Sequence, residues 1–165
     1  MKVLVSDTSV LIDLERGQLL EPCFRLPFEF VVPGLLYKRE LAGFGGERLI
    51  EQGLRIEELT NDELSAVQAV RGGNVKLSVA DAYAYVLASS RSWALLTGDG
   101  ELRELAQAQS LPFHGVLWVL DRLFEAKILA GTNLAEGLGA IAGHPRCRLP
   151  KAEIQARLSR YRENE

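Results

Sequence analysis

The chain has 165 residues, 47% of them hydrophobic and 25% charged, the balance of a globular protein long enough to bury a sizeable core. No stretch approaches the roughly 20 apolar residues of a membrane span, and the apolar run at Met1–Val5 is too short for a signal peptide, so one domain over residues 1–165, located in the cytoplasm, is expected. A net charge of −3 argues against a protein that holds nucleic acid by bulk positive charge alone.

Taken in chain order, short β-type runs alternate with longer stretches of helical spacing. "KVLVS" (2–6) reads as a strand and "TSVLIDLERG" (8–17) as the helix after it; "FEFVV" (28–32) is the second strand, followed by "GLLYKREL" (34–41). A third strand lies in "LRIEEL" (54–59), then the helices "NDELSAVQAVR" and "SVADAYAYVLASSR", with Gly72-Gly73 separating them. "WALLT" (93–97) is a fourth strand, "ELRELAQAQ" a helix, and "PFHGV" (112–116) holds a brief fifth strand. Strands alternating with helices of this length predict βαβ units around a parallel sheet covered on both faces. Thr60 with Glu63, and Ser78 with Asp81, have capping-box spacing. After residue 115 the pattern is helical throughout, in "VLWVLDRLFEAK", "TNLAEGLGAIAG" and, past Pro150, "KAEIQARLSRY". This makes a core over 1–115 and a C-terminal helical extension over 116–165.

Charge is spread unevenly. Residues 144–165 carry Arg146, Arg148, Lys151, Arg157, Arg160 and Arg162 against Glu153, Glu163 and Glu165, so the tail is net +3 and the rest net −6. Such a tail is either a solvated helix face or a nucleic-acid contact. Cys23 and Cys147 lie far apart without metal-ligand spacing and are expected to be plain thiols.

Four acids carry the functional argument. Ligands of an open parallel sheet bind beyond the carboxyl ends of its strands, where strand order reverses. Asp7 ends the first strand, Asp99 follows the fourth, and Asp81 opens the helix that leads into the fourth. Each has an ordinary explanation as a helix cap. Asp81 strains that explanation, because it is the one charge in the otherwise apolar or tyrosine run from Val79 to Ala88, and a carboxylate on a buried helix needs a partner or a cation. Glu40 falls with Leu36, Tyr37 and Leu41 on one face by 3.6 periodicity, while Lys38 and Arg39 point elsewhere; its alternative is an internal ion pair with an arginine. Carboxylates crowded within a few ångströms raise one another's pKa unless a cation lies between them. An all-oxygen set suits Mg²⁺ or Mn²⁺. Zinc is disfavoured, since His114 and His144 have no second nitrogen or sulfur ligand near them in sequence. Divalent ions held this way suit phosphodiester hydrolysis without a nucleophilic side chain.

The segments "VSDTSVLIDL", "PGLLYKREL" and "SVADAYAYVLASSRSWALLTGDGELRELA", in this order over about residues 1–115, resemble the PIN domain ribonucleases. The resemblance implies a three-layer α/β/α sandwich with a five-stranded parallel sheet in the order 3-2-1-4-5. It carries the acidic quartet onto Asp7, Glu40, Asp81 and Asp99, as metal ligands and catalytic groups, and it adds Ser9 and Thr97 as hydroxyl partners. It implies Mg²⁺ or Mn²⁺ as cofactor, RNA as substrate, a homodimer, and the toxin role of VapC-type proteins paired with an antitoxin. The chain departs from the pattern at Gly100 and Glu101, where many members have a basic residue, so Glu101 is a further rim carboxylate or a first-turn helix acid. Two other readings stand beside this one. A phosphatase with Asp7 as nucleophile would want a second aspartate at position 9, which is Ser9, and a lysine where none lies between Lys76 and Lys127. An inactive binding module would use the same acids only as caps.

Overall fold

The computed structural model describes residues 1–163; Glu165, counted in the tail's charge, lies outside the described residues. Five strands, β1 (Lys2–Ser6), β2 (Phe28–Pro33), β3 (Arg55–Glu57), β4 (Ala94–Leu96) and β5 (Phe113–His114), form one all-parallel sheet in the order β3-β2-β1-β4-β5. The fold is of the α/β/α class that the alternation predicts. The inner strands are continuous apolar runs, as a sheet covered on both faces requires: Leu4 and Val5 of β1 and Leu95 and Leu96 of β4 have no solvent exposure.

Ten α-helices connect and follow these strands: α1 (Thr8–Arg16), α2 (Leu20–Cys23), α3 (Gly34–Leu36), α4 (Gly46–Gln52), α5 (Asn61–Gly73), α6 (Val79–Ser90), α7 (Gly100–Ala108), α8 (Val116–Glu125), α9 (Gly131–Ala142) and α10 (Lys151–Glu163). The backbone groups into two compact units. One comprises residues 1–10 and 27–115, the other 11–26 and 116 onward.

In the first unit, α6 lies on β1, β2 and β4. Its small Ala80, Ala82, Ala84 and Ala88 let the backbone come close to the sheet, while Tyr85, Val86 and Leu87 fill the space around them. Burying each of those three contributes on the order of 1.5–3 kcal/mol. The antiparallel pair α5 and α6 is fastened at one end by Arg91, whose guanidinium donates to Glu57 at 2.9 Å, to Glu63 at 3.0 Å and to the Glu58 carbonyl at 2.9 Å. The Thr60–Glu63 capping box forms as its spacing predicts. Its second half does not recur at α6: Ser78 accepts the Asp81 N–H, but no reciprocal bond from the Ser78 N–H to the Asp81 carboxylate closes a box.

Two local expectations are corrected. Gly72 and Gly73 do not separate helices; α5 runs through both, and the break comes at residues 74–77. The segment 34–41 is not one regular helix either. α3 ends at Leu36 and Tyr37–Leu41 winds as a π-helix, with the Ala42 N–H donating to the Tyr37 carbonyl five residues back. The wider turn lets Leu36 and Leu41 both face the core, at 0% and 4% exposure, with Glu40 half-buried between them. The expected division of faces holds, although the winding that produces it differs.

In the second unit α10 packs along α9. Gly131 is required there, since a Cβ at that position would lie 1.9 Å from the Tyr161 carbonyl oxygen. Tyr161 is fully buried and its hydroxyl donates to Asp121 of α8 at 2.7 Å, while Arg157 donates to the same carboxylate at 2.9 Å. Arg160 lies 3.6 Å from Asp121 and 3.8 Å from Glu125. Two of the six cations in the basic tail are therefore engaged within this unit.

Candidate active site

Strand order reverses between β1 and β4, so the crevice of this sheet opens beyond the carboxyl ends of those two strands. The register pairs Ser6 with Leu96. The next residue on each strand is Asp7 and Thr97, and the Asp7 N–H continues the ladder to the Leu96 carbonyl at 2.9 Å. The parallel geometry thus sets a carboxylate and a hydroxyl side by side at the mouth of the crevice.

Asp7 is 3% exposed. Its Oδ1 accepts from the Val10 N–H at 3.1 Å and from the Ser9 hydroxyl at 2.8 Å; its Oδ2 accepts from the Thr97 hydroxyl. Thr97 has no solvent exposure, and its Oγ1 also accepts the Asp99 N–H at 3.0 Å. One hydroxyl therefore ties the two acids together, its proton aimed at Asp7 and a lone pair aimed at the backbone of Asp99. Burial pushes the Asp7 carboxyl above the usual carboxylate range, the bonds from Thr97, Val10 and Ser9 oppose this, and the charge on Asp99 adds to it.

Asp99 caps α7, with Oδ2 accepting from the Leu102 N–H at 2.9 Å. Ser9 is exposed at the same rim, where a Cβ on Gly98 would lie 3.8 Å from its Oγ. Glu40 pairs with no arginine among the described residues; its carboxylate accepts from the hydroxyl of Thr8. Thr8 escaped the sequence reading, which passed from Asp7 directly to Ser9. The signal was present in the hydroxyl pair that follows the strand-terminal aspartate.

Asp81 is half-buried at the start of α6. Burial raises its carboxyl, a bond from Ser78 lowers it, and the negative charges of Asp7, Asp99 and Glu40 each raise it further, to about 6. All four sequence-predicted acids thus stand within electrostatic reach of one another. They do not share a coordination sphere: among the described residues no group of three or more His, Cys, Asp or Glu side chains is disposed to hold a metal ion. The reason is local, since Asp7, Glu40 and Asp99 are each turned toward a hydroxyl or a helix N–H. Glu101 is exposed in the first turn of α7, where a negative charge faces the positive end of the helix.

The donors assembled here are carboxylate and hydroxyl oxygens, with no nitrogen or sulfur ligand among them. That chemistry fits a hard dication such as Mg²⁺ or Mn²⁺, and a positive charge there would offset both the burial of Asp81 and the negative charges of Asp7, Asp99 and Glu40 that push its carboxyl up. No helix of the described residues is long and apolar enough to cross a membrane.

A family model for a PIN domain matches residues 3–163, so the match runs through the C-terminal helices as well as the sheet. Among solved structures, a PilT N-terminus domain protein from the hyperthermophilic archaeon Sulfolobus solfataricus P2 is similar, with 13% identity over 78% of this chain and 94% of that one and a TM-score of 0.48. No curated protein matches the chain. With the family model spanning nearly every residue of a sheet ordered β3-β2-β1-β4-β5, the chain belongs to the PIN domain family, a fold that is generally a metal-dependent nuclease.

Proposed function

We propose that the protein is an endoribonuclease that uses Mg²⁺ or Mn²⁺, with Asp7, Glu40, Asp81 and Asp99 holding the ion at the mouth of the β1/β4 crevice. The observation that carries the reading is geometric: Asp7 at the end of β1 and Thr97 at the end of β4 meet side by side, and the same Thr97 hydroxyl donates to Asp7 and accepts the Asp99 N–H. Burial, with the charges of Asp7, Asp99 and Glu40, pushes the Asp81 carboxyl up to about 6. Acids that only cap their own helices have no need to gather at one crevice, and Asp81 closes no box of its own.

In this reading a bound dication supplies a water acidic enough to ionise near neutral pH and a counter-charge for the phosphate. The protein's own part is positional. Thr97 and Ser9 fix both oxygens of Asp7, the Asp99 N–H fixes Thr97 in turn, and Thr8 sets the direction of Glu40. Held this way, Asp7 is fixed in place, and taking up the ion requires the carboxylates to turn from their present hydroxyl and N–H partners toward one another. The acidic rim attracts a phosphodiester only after it is loaded, which removes the objection raised by the net charge of −3.

The test is cleavage of a mixed RNA pool with Mn²⁺ by wild type and Asp7→Asn, together with thermal melts of both. Loss of cleavage with the melt retained supports the proposal; equal cleavage by both proteins rejects it. An inactive binding module would show no Mn²⁺-linked stabilisation, whereas a metal site must. The toxin role, with an antitoxin partner and a homodimer, comes from the resemblance and belongs to this same proposal. Growth arrest on expression, absent with Asp7→Asn, is its expected sign.

A further inference from the structure

Directly after Glu40 the chain leaves the core. Ala42–Phe44 forms a 3-10 turn, Gly45 takes the left-handed conformation at φ 77°, and α4 follows with Gly46 as its one buried residue. A seven-residue helix has little stability of its own in water, and this one gains little from packing. Its outer surface includes Phe44, 85% exposed, and Ile50, 42% exposed. The root of the excursion is nevertheless tight: a Cβ on Gly46 would lie 2.7 Å from the Tyr37 ring and 2.8 Å from the Leu41 carbonyl oxygen, both belonging to the π turn that carries Glu40. At the tip, Gly43 and Gly45 have open space around them. The arm is thus clamped beside one acid of the site and displays an aromatic ring to solvent.

The charged side chains near Phe44 in sequence indicate what it meets. Lys38, Arg39 and Arg48 are exposed and enter no ion pair among the described residues, whereas Arg55 and Arg91 of the same unit are both paired with glutamates. A protein interface has a core depleted in charge and buries about 800 Å² per partner. Over residues 38–50 this arm instead exposes one ring, one isoleucine and four charged residues, Lys38, Arg39, Glu47 and Arg48, with Glu40 half-buried at its root. An exposed π-face carried on the same short stretch as three exposed cations that enter no ion pair among the described residues matches single-stranded nucleic acid, whose bases stack on aromatic rings while its phosphates take the cations.

We propose that the arm at residues 38–50 grips single-stranded RNA next to the acidic site, with an unpaired base stacked on Phe44 and flanking phosphates on Lys38, Arg39 and Arg48. This rests on the ribonuclease reading and adds to it a binding contact outside the acidic site, a stacking platform on the arm that follows Glu40.

The experiment is fluorescence anisotropy of a labelled twelve-nucleotide single-stranded RNA of mixed sequence, in EDTA so that no cleavage occurs, with wild type, Phe44→Ala and Phe44→Trp. Removing a stacked ring weakens binding by about 5- to 30-fold. Phe44→Ala is expected to show this loss with an unchanged melt, because Phe44 buries almost nothing; Phe44→Trp is expected to restore binding and to show indole quenching on adding RNA. Equal affinity of Phe44→Ala and wild type overturns the proposal while leaving the nuclease reading intact. Equal affinity together with a shift of Phe44→Ala from dimer to monomer assigns the ring to a protein contact and overturns it as well. Wild type that neither binds nor cleaves RNA overturns both readings.

Discussion

Replacing Thr97 with Val tests whether the buried hydroxyl is the joint of the site. Valine keeps nearly the same volume at a position with no solvent exposure, so little changes in packing. What is lost is the donor to Asp7 Oδ2 and the acceptor for the Asp99 N–H. A hydrogen bond to a charged group contributes about 1.5–3 kcal/mol, and an unpaired buried N–H costs about 1 kcal/mol or more. The carboxylate relaxes toward its protonated form and recovers part of this, which leaves a net loss of about 2–3 kcal/mol, or roughly 5–10 °C in melting temperature for a chain of this size. The joint is isolated by a double-mutant cycle. In an Asp7→Asn background the carboxylate that Thr97 serves is gone, so the same substitution is expected to cost only about 1 kcal/mol, giving a coupling of at least about 1 kcal/mol. Urea unfolding in EDTA, followed by circular dichroism, measures all four corners without reference to activity, and Thr97→Ser serves as the control that keeps the hydroxyl. An identical cost of Thr97→Val in both backgrounds would refute the reasoning, because the two side chains would then not be interacting.

Three further outcomes are expected. The bonds from Arg91 hold the Glu63 carboxyl down at about 2, so the stability it contributes is fully present above its ordinary value of 4.5 and is lost as pH falls from there toward 2; the full shift corresponds to about 3 kcal/mol, reduced to about 1–2 kcal/mol by the partial exposure of the guanidinium, and Glu63→Gln should flatten the stability profile over that window. Gly131→Ala forces a Cβ to 1.9 Å from backbone at Tyr161, so α10 should detach and become open to limited proteolysis, whereas Gly139→Ala, which meets nothing within 4 Å, should leave the digestion pattern unchanged. Arg157→Gln with Arg160→Gln should lower the melting temperature yet leave the salt dependence of RNA binding unchanged, since both cations already face Asp121; a shallower salt slope would place them on the RNA instead.

The sheet was legible because β1, β2 and β4 hold short apolar runs, whereas β3 (Arg-Ile-Glu) and β5 (Phe-His) showed through their place between helical stretches, and the position of the acids at strand ends followed from the same alternation. The strand order was not contained in the spacing and came from the family resemblance. Helix ends were harder to place. α1, α6, α7 and α8 are followed by Gln18, Ser92, Ser110 and Lys127 at φ between 55° and 57°, so the left-handed residue that closes each helix is not a glycine and leaves no mark in the sequence. Gly72-Gly73 misled in the opposite direction, because an exposed helix end tolerates glycine. α4 has no apolar stripe and gave no periodic signal. The Arg91 fastening joins residues about thirty positions apart, and no local pattern announces it.

Capping and ligation were weighed as alternatives for Asp7 and Asp99, and the geometry shows that the first does not exclude the second. In a βα unit the short link between strand and helix lies at the crevice rim and at the helix N-terminus together, so one side chain there, Asp7 directly after β1 or Asp99 three residues after β4, can meet both demands. Asp99 gives Oδ2 to the Leu102 N–H, and its Oδ1 takes no hydrogen bond among the described residues. Asp7 Oδ1 accepts from both the Val10 N–H and the Ser9 hydroxyl, and Oδ2, which takes only the Thr97 hydroxyl, keeps a second lone pair. A cap uses one lone pair and, in doing so, removes the rotational freedom that would otherwise oppose binding at the rest. The helix that follows each strand is therefore what holds the acid still, and a site assembled from such residues inherits its rigidity from secondary structure and not from the ion it would hold.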